Sequence, residues 1–296
     1  MLDIRRYLNP KGWFKSACTI KFWLIVLLFG LAALNLVIID QAHHDNLFSL
    51  ALLMWLTLLH SLWERRHGLT LRSDGRSSMI GGMLLGFILL RNIAGSSDFS
   101  VRLLPVIGVI SLVLIASGAK SLKTYWREIT LSGLLLYAKL AAVFLQIINL
   151  TLLTAKVANA FLYIIGFETY REGFFITLPQ GRIQVLGVCS GETSIILLLS
   201  VAFLFFFLLP ISHGQKGVSL TFAALLGFVI NVVRITLLAI LVNSGDRQSF
   251  NYWHGENGSL LFAMISVGLF GAFCWFAYVR PQGELSSLAG VNHHEN

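Results

Sequence analysis

Charged residues are scarce in this sequence: they make up only 12% of the 296 residues, while 56% are hydrophobic. A soluble globular domain carries roughly a quarter charged residues. The apolar residues also cluster in runs that approach the ~20 residues a helix needs to cross a ~30 Å hydrocarbon layer. This composition excludes an ordinary soluble protein. It predicts an all-α, polytopic integral membrane protein.

Cysteine is also scarce, and the three cysteines offer no disulfide framework. The net charge of +8 does not indicate nucleic-acid binding, because the basic residues lie in short loops between apolar runs and leave no exposed basic face. A soluble catalytic domain is excluded as well. The longest stretch between predicted spans, residues 154–188, is too short for one, so any chemistry falls to the membrane helices and their loops.

The apolar runs predict about eight membrane spans. They lie at approximately Phe22–Ile39, Leu47–Trp63, Met79–Leu90, Val101–Ser117, Leu131–Leu153, Cys189–Ile211, Val218–Val242 and Ser259–Val279. The third run is short and rich in glycine, which predicts close packing against its neighbours. The whole chain, residues 1–296, is therefore interpreted as a single membrane domain. Its parts are an amino-terminal set of spans at 22–153, a loop at 154–188, a catalytic set of spans at 189–279 and a tail at 280–296.

The polar stretch 154–188 begins with an amphipathic piece and continues with two short β-type runs. These runs, Phe174–Leu178 and Arg182–Leu186, flank Pro179-Gln-Gly181. A turn of proline and glycine between two such runs predicts a hairpin-like insertion at the membrane surface.

The distribution of lysine and arginine predicts the orientation in the cytoplasmic membrane. One set of loops is the richer in these residues and is therefore cytoplasmic. This set comprises the amino terminus, 64–78, 120–130, 212–217 and the tail. The loops at 40–46, 91–100, 154–188 and 243–258 then face the extracytoplasmic side, and both termini lie in the cytoplasm.

Cys189 stands at the predicted outer end of the sixth span. Unpaired backbone N–H groups and the helix dipole favour a thiolate at such a position and could stabilise an oxyanion. The alternative is a small buried cysteine in an apolar segment. Cys18 and Cys274 are predicted on or near the cytoplasmic side, so Cys189 has no disulfide partner on its own side. A nucleophile fits this arrangement better than a structural disulfide.

Arg234 lies inside the seventh span, about eight residues or ~12 Å below its predicted outer end. A charge at such depth costs at least ~2.5 kcal/mol unless it faces a partner or a water-filled cavity. Asn231 shares its helical face. The alternatives are a functional arginine, or a structural one that pairs with carbonyls or reaches towards the interface.

His254 lies in the loop before the eighth span, again on the outer side, within Tyr252-Trp-His-Gly-Glu-Asn-Gly258. A histidine in such a loop is often just a solvated side chain. Its position on the same side as Cys189 gives it weight, because a cysteine and a histidine form the minimal pair for thiol nucleophilic catalysis. Together with Arg234 they indicate a cysteine acyl-transfer site facing outward.

The order of these motifs resembles the exosortase/archaeosortase family over about Val185–Phe262: Cys-Ser-Gly from Cys189, then Asn-x-x-Arg ending at Arg234, then His-x-x-x-Gly beginning at His254. The resemblance implies Cys189 as nucleophile, Arg234 as stabiliser of the oxyanion or substrate carbonyl, and His254 as general acid and base. The supporting positions are Ser190, Gly191, Glu192, Asn231 and Gly258.

The same resemblance implies the substrates and partners. The substrates are secreted proteins with a carboxy-terminal tail made of a Pro-Glu-Pro-like motif, a hydrophobic span and a basic end. The implied reaction cleaves the motif and transfers the new carboxyl end to an amine, with a lipid or exopolysaccharide intermediate as a candidate acceptor. Arg171 and Arg182 either attract the carboxylate of the motif or are solvated. Glu192 either pairs with Arg234 or orients His254.

No metal or nucleotide cofactor is expected, because the pairs His43-His44 and His293-His294 lack ligand spacing. Two other functions compete with catalysis: a transporter whose polar path contains Arg234 and Glu192, and a membrane scaffold for envelope polysaccharide assembly. A transporter predicts internal repeats or broken helices in matched halves, and no convincing repeat is present. Both alternatives leave the coincidence of Cys189 and His254 unexplained.

Overall fold

The structure, a computed structural model, describes residues 20–42, 45–65, 73–95, 97–209 and 211–280. The chain divides into two compact units, Met1–Tyr137 and Ala138–Asn296. Several sequence-based predictions fall outside the described residues. These concern the basic amino terminus with Cys18, the His43-His44 pair, residues 66–72 of the basic loop 64–78, and the tail after Arg280 with His293-His294.

The first unit is helical throughout its described part. Its helices are α1 (Ile20–Gln41), α2 (Asp45–Glu64), α3 (Gly75–Ile93), α4 (Asp98–Ser117) and α5 (Trp126–Ser132), with a 3-10 turn at Ala119–Ser121. Helix α6 (Leu134–Ile147) carries the chain into the second unit.

Buried polar groups in the first unit are paired with each other or with backbone. The Asn35 side chain donates to the Val101 carbonyl at 3.0 Å and accepts from Trp55 Nε1 at 3.1 Å. Such pairing is required where no water can satisfy a polar group. The glycine-rich third run packs closely at Gly81, where a Cβ would lie 2.8 Å from the Ser111 carbonyl oxygen. The predicted close packing is therefore confirmed at that position.

The second unit contains the small sheet and the remaining helices. Its elements are α7 (Leu150–Ile164), β1 (Tyr170–Glu172), β2 (Phe175–Leu178), β3 (Gly181–Gln184), a 3-10 turn (Gly187–Cys189), α8 (Glu192–Leu208), α9 (His213–Asn243), α10 (Arg247–His254), α11 (Glu256–Cys274) and a π-helical turn (Trp275–Val279).

The predicted hairpin is present and belongs to a three-stranded antiparallel sheet of order β1-β2-β3. Its turn rests on the end of α9. A Cβ at Gly181 would overlap the Val242 side chain, and the Gln180 N–H donates to Asn243 Oδ1 at 3.0 Å. The glycine of the Pro-Gln-Gly turn is needed for this close approach.

The all-α membrane bundle is confirmed, whereas the expected number of eight spans is not. Among the described residues, five helices are long and apolar enough to cross a membrane, or six if α5 and α6 form one bent span. Three of the remaining helices, α3, α7 and α8, are shorter or less apolar than these five. Helix α3 has Arg76 and Arg91 near its ends, and α7 and α8 have 15 and 17 residues, against the ~20 that a span needs.

The predicted fifth span, Leu131–Leu153, is not one continuous helix. It is interrupted at Gly133 and again at Asn149, which caps α7 in the left-handed conformation with φ of 47°. Asparagine tolerates that conformation better than most residues, because its short polar side chain can hydrogen-bond locally. Helix α7 then continues through Thr154, so the first part of the predicted loop 154–188 is helical.

Large apolar side chains cover the outside of the described helices. Trp23 and Phe29 of α1 and Leu260 and Met264 of α11 are all more than half exposed. A soluble protein would bury most such side chains or cover them with a partner. On a polytopic helical protein, this surface is the one that contacts lipid.

The core of the second unit joins α7, the sheet and α9. It consists of Ala155, Ala158, Leu162, Ile176, Leu178, Val185, Cys189, Val232, Ile235, Leu238 and Ala239. Cys189 is thus a member of this core, together with residues of the sheet and of the second half of α9. A second cluster, which includes Cys274, packs α8, α9 and α11 together.

Candidate active site

Cys189 ends the 3-10 turn that follows the sheet. Its side chain is buried, and its N–H donates to the Leu186 carbonyl at 2.9 Å. Helix α8 begins at Glu192, so Cys189 precedes the first α-helical residue by three positions and does not itself start the helix. The thiol therefore belongs to a tight loop between the sheet and α8, and this loop is held by α7 and α9.

Two buried side chains hold this loop by its carbonyl groups. Asn231 of α9 donates through Nδ2 to the Cys189 carbonyl at 3.0 Å, and Thr154 of α7 donates through Oγ1 to the Ser190 carbonyl at 2.8 Å. Gly191 has φ of 91°, and a Cβ there would lie 2.9 Å from Asn231 Nδ2. Glycine is thus required at Gly191 both for the backbone conformation and for space. The supporting roles predicted for Asn231 and Gly191 are positional in this structure.

Arg234 extends from α9 to the carboxyl end of α10. Its Nη2 donates to the His254 carbonyl at 2.9 Å and lies 3.5 Å from the Trp253 carbonyl. These are among the last carbonyls of a helix, which have no partner within the helix, so the guanidinium caps α10. Pairing with carbonyls is the structural alternative that the sequence left open.

The guanidinium retains capacity beyond this cap. Its Nε is buried and has no hydrogen-bond partner among the described residues. Asn231, one helical turn before Arg234 on α9, donates to the Cys189 carbonyl, so the guanidinium and the Cys189 loop adjoin the same stretch of this helix. A buried donor without a partner is costly. Its position therefore favours an acceptor that arrives with a ligand, close to the thiol.

His254 is the last residue of α10, and its ring is exposed. The ring stacks on Phe250 with centroids 5.3 Å apart and an interplanar angle of 11°. Phe250 and Trp253 pack against the core cluster that contains Cys189. Residues at i, i+3 and i+4 share one helical face. His254 therefore lies on the same face of α10 as Phe250 and Trp253, the face that packs against this core.

Helix α10 is fixed at its other end by Asp246, which accepts from the Ser249 N–H at 3.0 Å. Hydrogen bonds from the Ser249 side chain and backbone hold the pKa of the Asp246 carboxyl below its ordinary value. The cap is therefore an ionised carboxylate at neutral pH, next to the positive end of the helix dipole.

Gly258 allows α11 to start directly against the end of α10. A Cβ at Gly258 would overlap the backbone of Trp253. Gly258 therefore determines where the carbonyls of Trp253 and His254 lie, and with them the partner of Arg234.

The predicted residues are only partly brought together. Arg234 bonds to the backbone of His254, whereas no hydrogen bond joins the Cys189 thiol to the His254 ring in the described part of the chain. Glu192 forms no ion pair with Arg234 there either. Its N–H donates to Ser190 Oγ at 3.3 Å, and its carboxylate lies in the first turn of α8, where the helix dipole stabilises it.

The two arginines of the sheet have local partners. Arg171 Nη1 donates to the Gly173 carbonyl at 2.7 Å. The Arg182 guanidinium lies 3.9 Å from the centre of the Phe175 ring and 4.0 Å from a carboxylate oxygen of Glu172, and the side chain is half exposed. Arg182 therefore presents a positive charge on the surface of the sheet.

Thr154 and Phe250 were not recognised from the sequence. Thr154 lies at the predicted start of a loop but is fully buried in α7. The spacing of Thr154, Ala158 and Leu162 along one helical face is the signal that could have identified it. Phe250 lies four residues before His254 in the segment that forms α10, which is the spacing that stacks two rings on a helix.

The described ranges contain no group of three or more His, Cys, Asp or Glu side chains that could hold a metal ion. Comparison with known proteins gave one family match: the model described as "Transmembrane exosortase" matches residues 40–271, well over half of the chain. No curated protein and no solved structure matches. The matched range contains Cys189, Arg234 and His254 together with the helices that hold them. The chain therefore belongs to the transmembrane exosortase family.

Proposed function

We propose that this membrane protein is a cysteine transpeptidase that cleaves the carboxy-terminal sorting signal of secreted proteins. The observation that carries the proposal is the arrangement around Arg234. Its guanidinium is bonded to the backbone of His254 and keeps a buried Nε without a partner among the described residues. Asn231, one helical turn before Arg234, donates to the carbonyl of the buried Cys189. A nucleophile, a candidate base and an unused cationic donor thus share one small region.

The first chemical step forms a thioester. The His254 ring accepts the thiol proton, and the Cys189 sulfur attacks the carbonyl carbon of the scissile peptide bond. The carbonyl oxygen becomes an oxyanion, which Arg234 stabilises through its unused N–H. When the intermediate collapses, the C–N bond breaks and the His254 imidazolium gives its proton to the departing amine.

The second step releases the product. An amine of the acceptor attacks the thioester carbon and loses a proton to His254, and the C–S bond breaks to restore the thiol. An envelope lipid or exopolysaccharide intermediate with an amine is the proposed acceptor. The His254 ring is exposed, and Phe250 stacks against it. In the proposed mechanism the His254 ring turns towards the Cys189 thiol when substrate is bound, because catalytic hydrogen bonds often tighten only in the complex.

The proposed site faces the extracytoplasmic side of the cytoplasmic membrane. The argument rests on the richer lysine and arginine content of the opposite loops. A substrate held in the bilayer by its own hydrophobic span would present a Pro-Glu-Pro-like motif at this surface, beside the sheet and Cys189.

The test is to express the chain together with a secreted protein that carries such a tail and to search for the acyl-enzyme. Rapid acid quenching followed by mass spectrometry is expected to show a thioester on the peptide that contains Cys189. Treatment with neutral hydroxylamine should release it, because hydroxylamine cleaves thioesters. If the tail is removed while Cys189 never carries an adduct, the thiol is not the nucleophile.

Gly258→Ala is expected to lower processing of the tail by about ten-fold or more. The added methyl group forces Trp253 and His254 away from α11. The guanidinium of Arg234, which is bonded to their carbonyls, then leaves the position from which it would stabilise the transition state. The matched control is Gly268→Ala in the same helix, where a Cβ would meet nothing within 4 Å. Processing rates are compared at equal amounts of folded protein. Equal rates for the two variants would show that the end of α10 does not position the site.

A further inference from the structure

Strand β3 forms an edge of the sheet and leads directly to the thiol. Only the four residues Val185–Val188 separate its last residue, Gln184, from Cys189. The strand order β1-β2-β3 leaves one side of β3 without a neighbouring strand. An edge of this kind is a template for another extended chain.

The hydrogen-bond register identifies the groups that this edge presents. The Val185 N–H donates to the Phe174 carbonyl at 2.9 Å, so Phe174 and Val185 form a hydrogen-bonded pair. Hydrogen-bonded and non-hydrogen-bonded pairs alternate in an antiparallel ladder. Ile183, which pairs with Ile176, therefore also bonds to β2. The N–H and C=O groups of Arg182 and Gln184 point the other way, away from the sheet.

These outward groups are available in the described part of the chain. No hydrogen bond from another element reaches the backbone of Arg182 or Gln184 there, and both residues are exposed. Gly181 contacts Val242 of α9 and Ile183 packs on the core cluster, so the exposed side chains of Arg182 and Gln184 lie on the face of the sheet that is turned away from α9. Neither a strand nor a hydrogen bond from another element occupies this edge of β3 in the described part of the chain.

The surroundings of this edge favour a particular ligand. Arg182 is held over the Phe175 ring, and its charge lies on the strand itself. Between β3 and Cys189, Leu186 and Val188 are 49% and 84% exposed. A basic side chain followed by two exposed apolar ones fits an extended peptide that has an acidic residue and then apolar residues towards the thiol.

We propose that the substrate is recognised by strand addition: its acidic segment around the scissile bond pairs with the free edge of β3 as a fourth strand. This rests on the function proposed above and specifies how the substrate reaches that site. Main-chain hydrogen bonds to Arg182 and Gln184 hold the segment, and Arg182 attracts its carboxylate. A Pro-Glu-Pro-like motif suits this edge, because the two prolines would direct their missing N–H groups away from β3 while the middle residue faces it.

The test is Gln184→Pro, compared with Gln184→Ala. Both remove the same side chain, but only proline removes the outward N–H, and that N–H takes no part in pairing with β2. Processing by Gln184→Pro is expected to be at least about ten-fold slower than processing by Gln184→Ala, the effect of leaving one substrate carbonyl unpaired in a buried contact. The rate at which iodoacetamide alkylates Cys189, measured by mass spectrometry, verifies that the loop is intact in both.

A second measurement tests occupancy without relying on turnover. In a Cys189→Ala chain, a photo-crosslinking amino acid replaces Gln184, whose side chain has no assigned role in binding, or Tyr170 on the opposite edge of the sheet. Cross-links from position 184 to alternate residues of the substrate motif, with few from position 170, are expected from the two-residue period of a strand. Equal processing by the two Gln184 variants, or cross-links without this period, would overturn strand addition.

The outcomes separate the two proposals. If the parent processes the tail through Cys189 while the Gln184 variants behave alike, strand addition is wrong and the cysteine transpeptidase stands. If processing does not need Cys189, the proposed function is wrong. Strand addition is then wrong as well, because it is proposed to deliver the scissile bond to Cys189.

Discussion

Replacing Cys189 with alanine is expected to abolish processing of a tail-bearing substrate, with the uncleaved precursor remaining in the membrane. In the proposed mechanism the Cys189 sulfur forms the acyl-enzyme, so its removal should lower the rate by more than about a thousand-fold. Cys189→Ser is expected to lose nearly as much. A serine hydroxyl is a weaker nucleophile than a thiol, and here no hydrogen-bonded base activates it in the free enzyme. The measurement is the ratio of cleaved to uncleaved substrate after co-expression, by immunoblotting.

Cys274→Ala is the matched control for this experiment. Cys274 is also buried in a membrane helix, but it belongs to the cluster that packs α8, α9 and α11 and not to the Cys189 loop. Loss of activity in Cys274→Ala at normal protein level would show that general damage to packing explains the Cys189 result. Continued cleavage by Cys189→Ala would remove the thiol from the mechanism altogether.

The fold class was predictable because membrane insertion leaves strong traces in a sequence. Runs such as Phe22–Ile39 and Leu47–Trp63 agree with α1 and α2 to within a few residues, since burial in lipid requires nearly every residue of a span to be apolar. The hairpin was predictable from Pro179-Gln-Gly181, because proline and glycine favour the backbone conformations of a turn. The third strand, β1, was missed, because three residues give too little alternation to recognise.

The local structure of the site was less predictable. The start of α8 depends on Gly191, whose left-handed backbone ends the Cys189 loop and starts the helix only at Glu192. An apolar run does not record such a break. The contacts of Thr154 with Ser190 and of Arg234 with His254 join residues 36 and 20 positions apart. Contacts between distant residues depend on how the helices pack, which periodicity alone does not determine.

A structural and a functional role are compatible in Arg234. The sequence offered a structural arginine paired with carbonyls or a functional one near a thiol. The structure gives the carbonyls of Trp253 and His254 as partners of Nη2, and it leaves Nε buried without one among the described residues. A guanidinium has five N–H donors in a fixed fork, so one group can hold α10 and still offer a donor to substrate.

Replacing Arg234 with lysine is therefore expected to lower processing by about a hundred-fold to a thousand-fold, the range for removing one preorganised oxyanion donor. Lysine keeps the positive charge and can still bond to one carbonyl, but it has no fork that could serve both α10 and an oxyanion. Thermal unfolding of the purified variant in detergent should change far less than the rate. A large loss of rate with little loss of stability is the signature of a chemical role.

Arg102→Lys is the matched control, because Arg102 is another largely buried arginine in a predicted membrane helix that donates to a backbone carbonyl, that of Leu135. It lies in the first unit, so its replacement should leave the processing rate within a few-fold of the parent.

Addition of guanidinium ions to Arg234→Ala provides a further measurement. Partial recovery of processing is expected if the missing donor acts on the substrate, because a free guanidinium can supply that donor but cannot reconnect α9 to α10. Full processing by Arg234→Lys, or a loss that follows thermal stability and is not rescued, would assign Arg234 to the support of α10 alone.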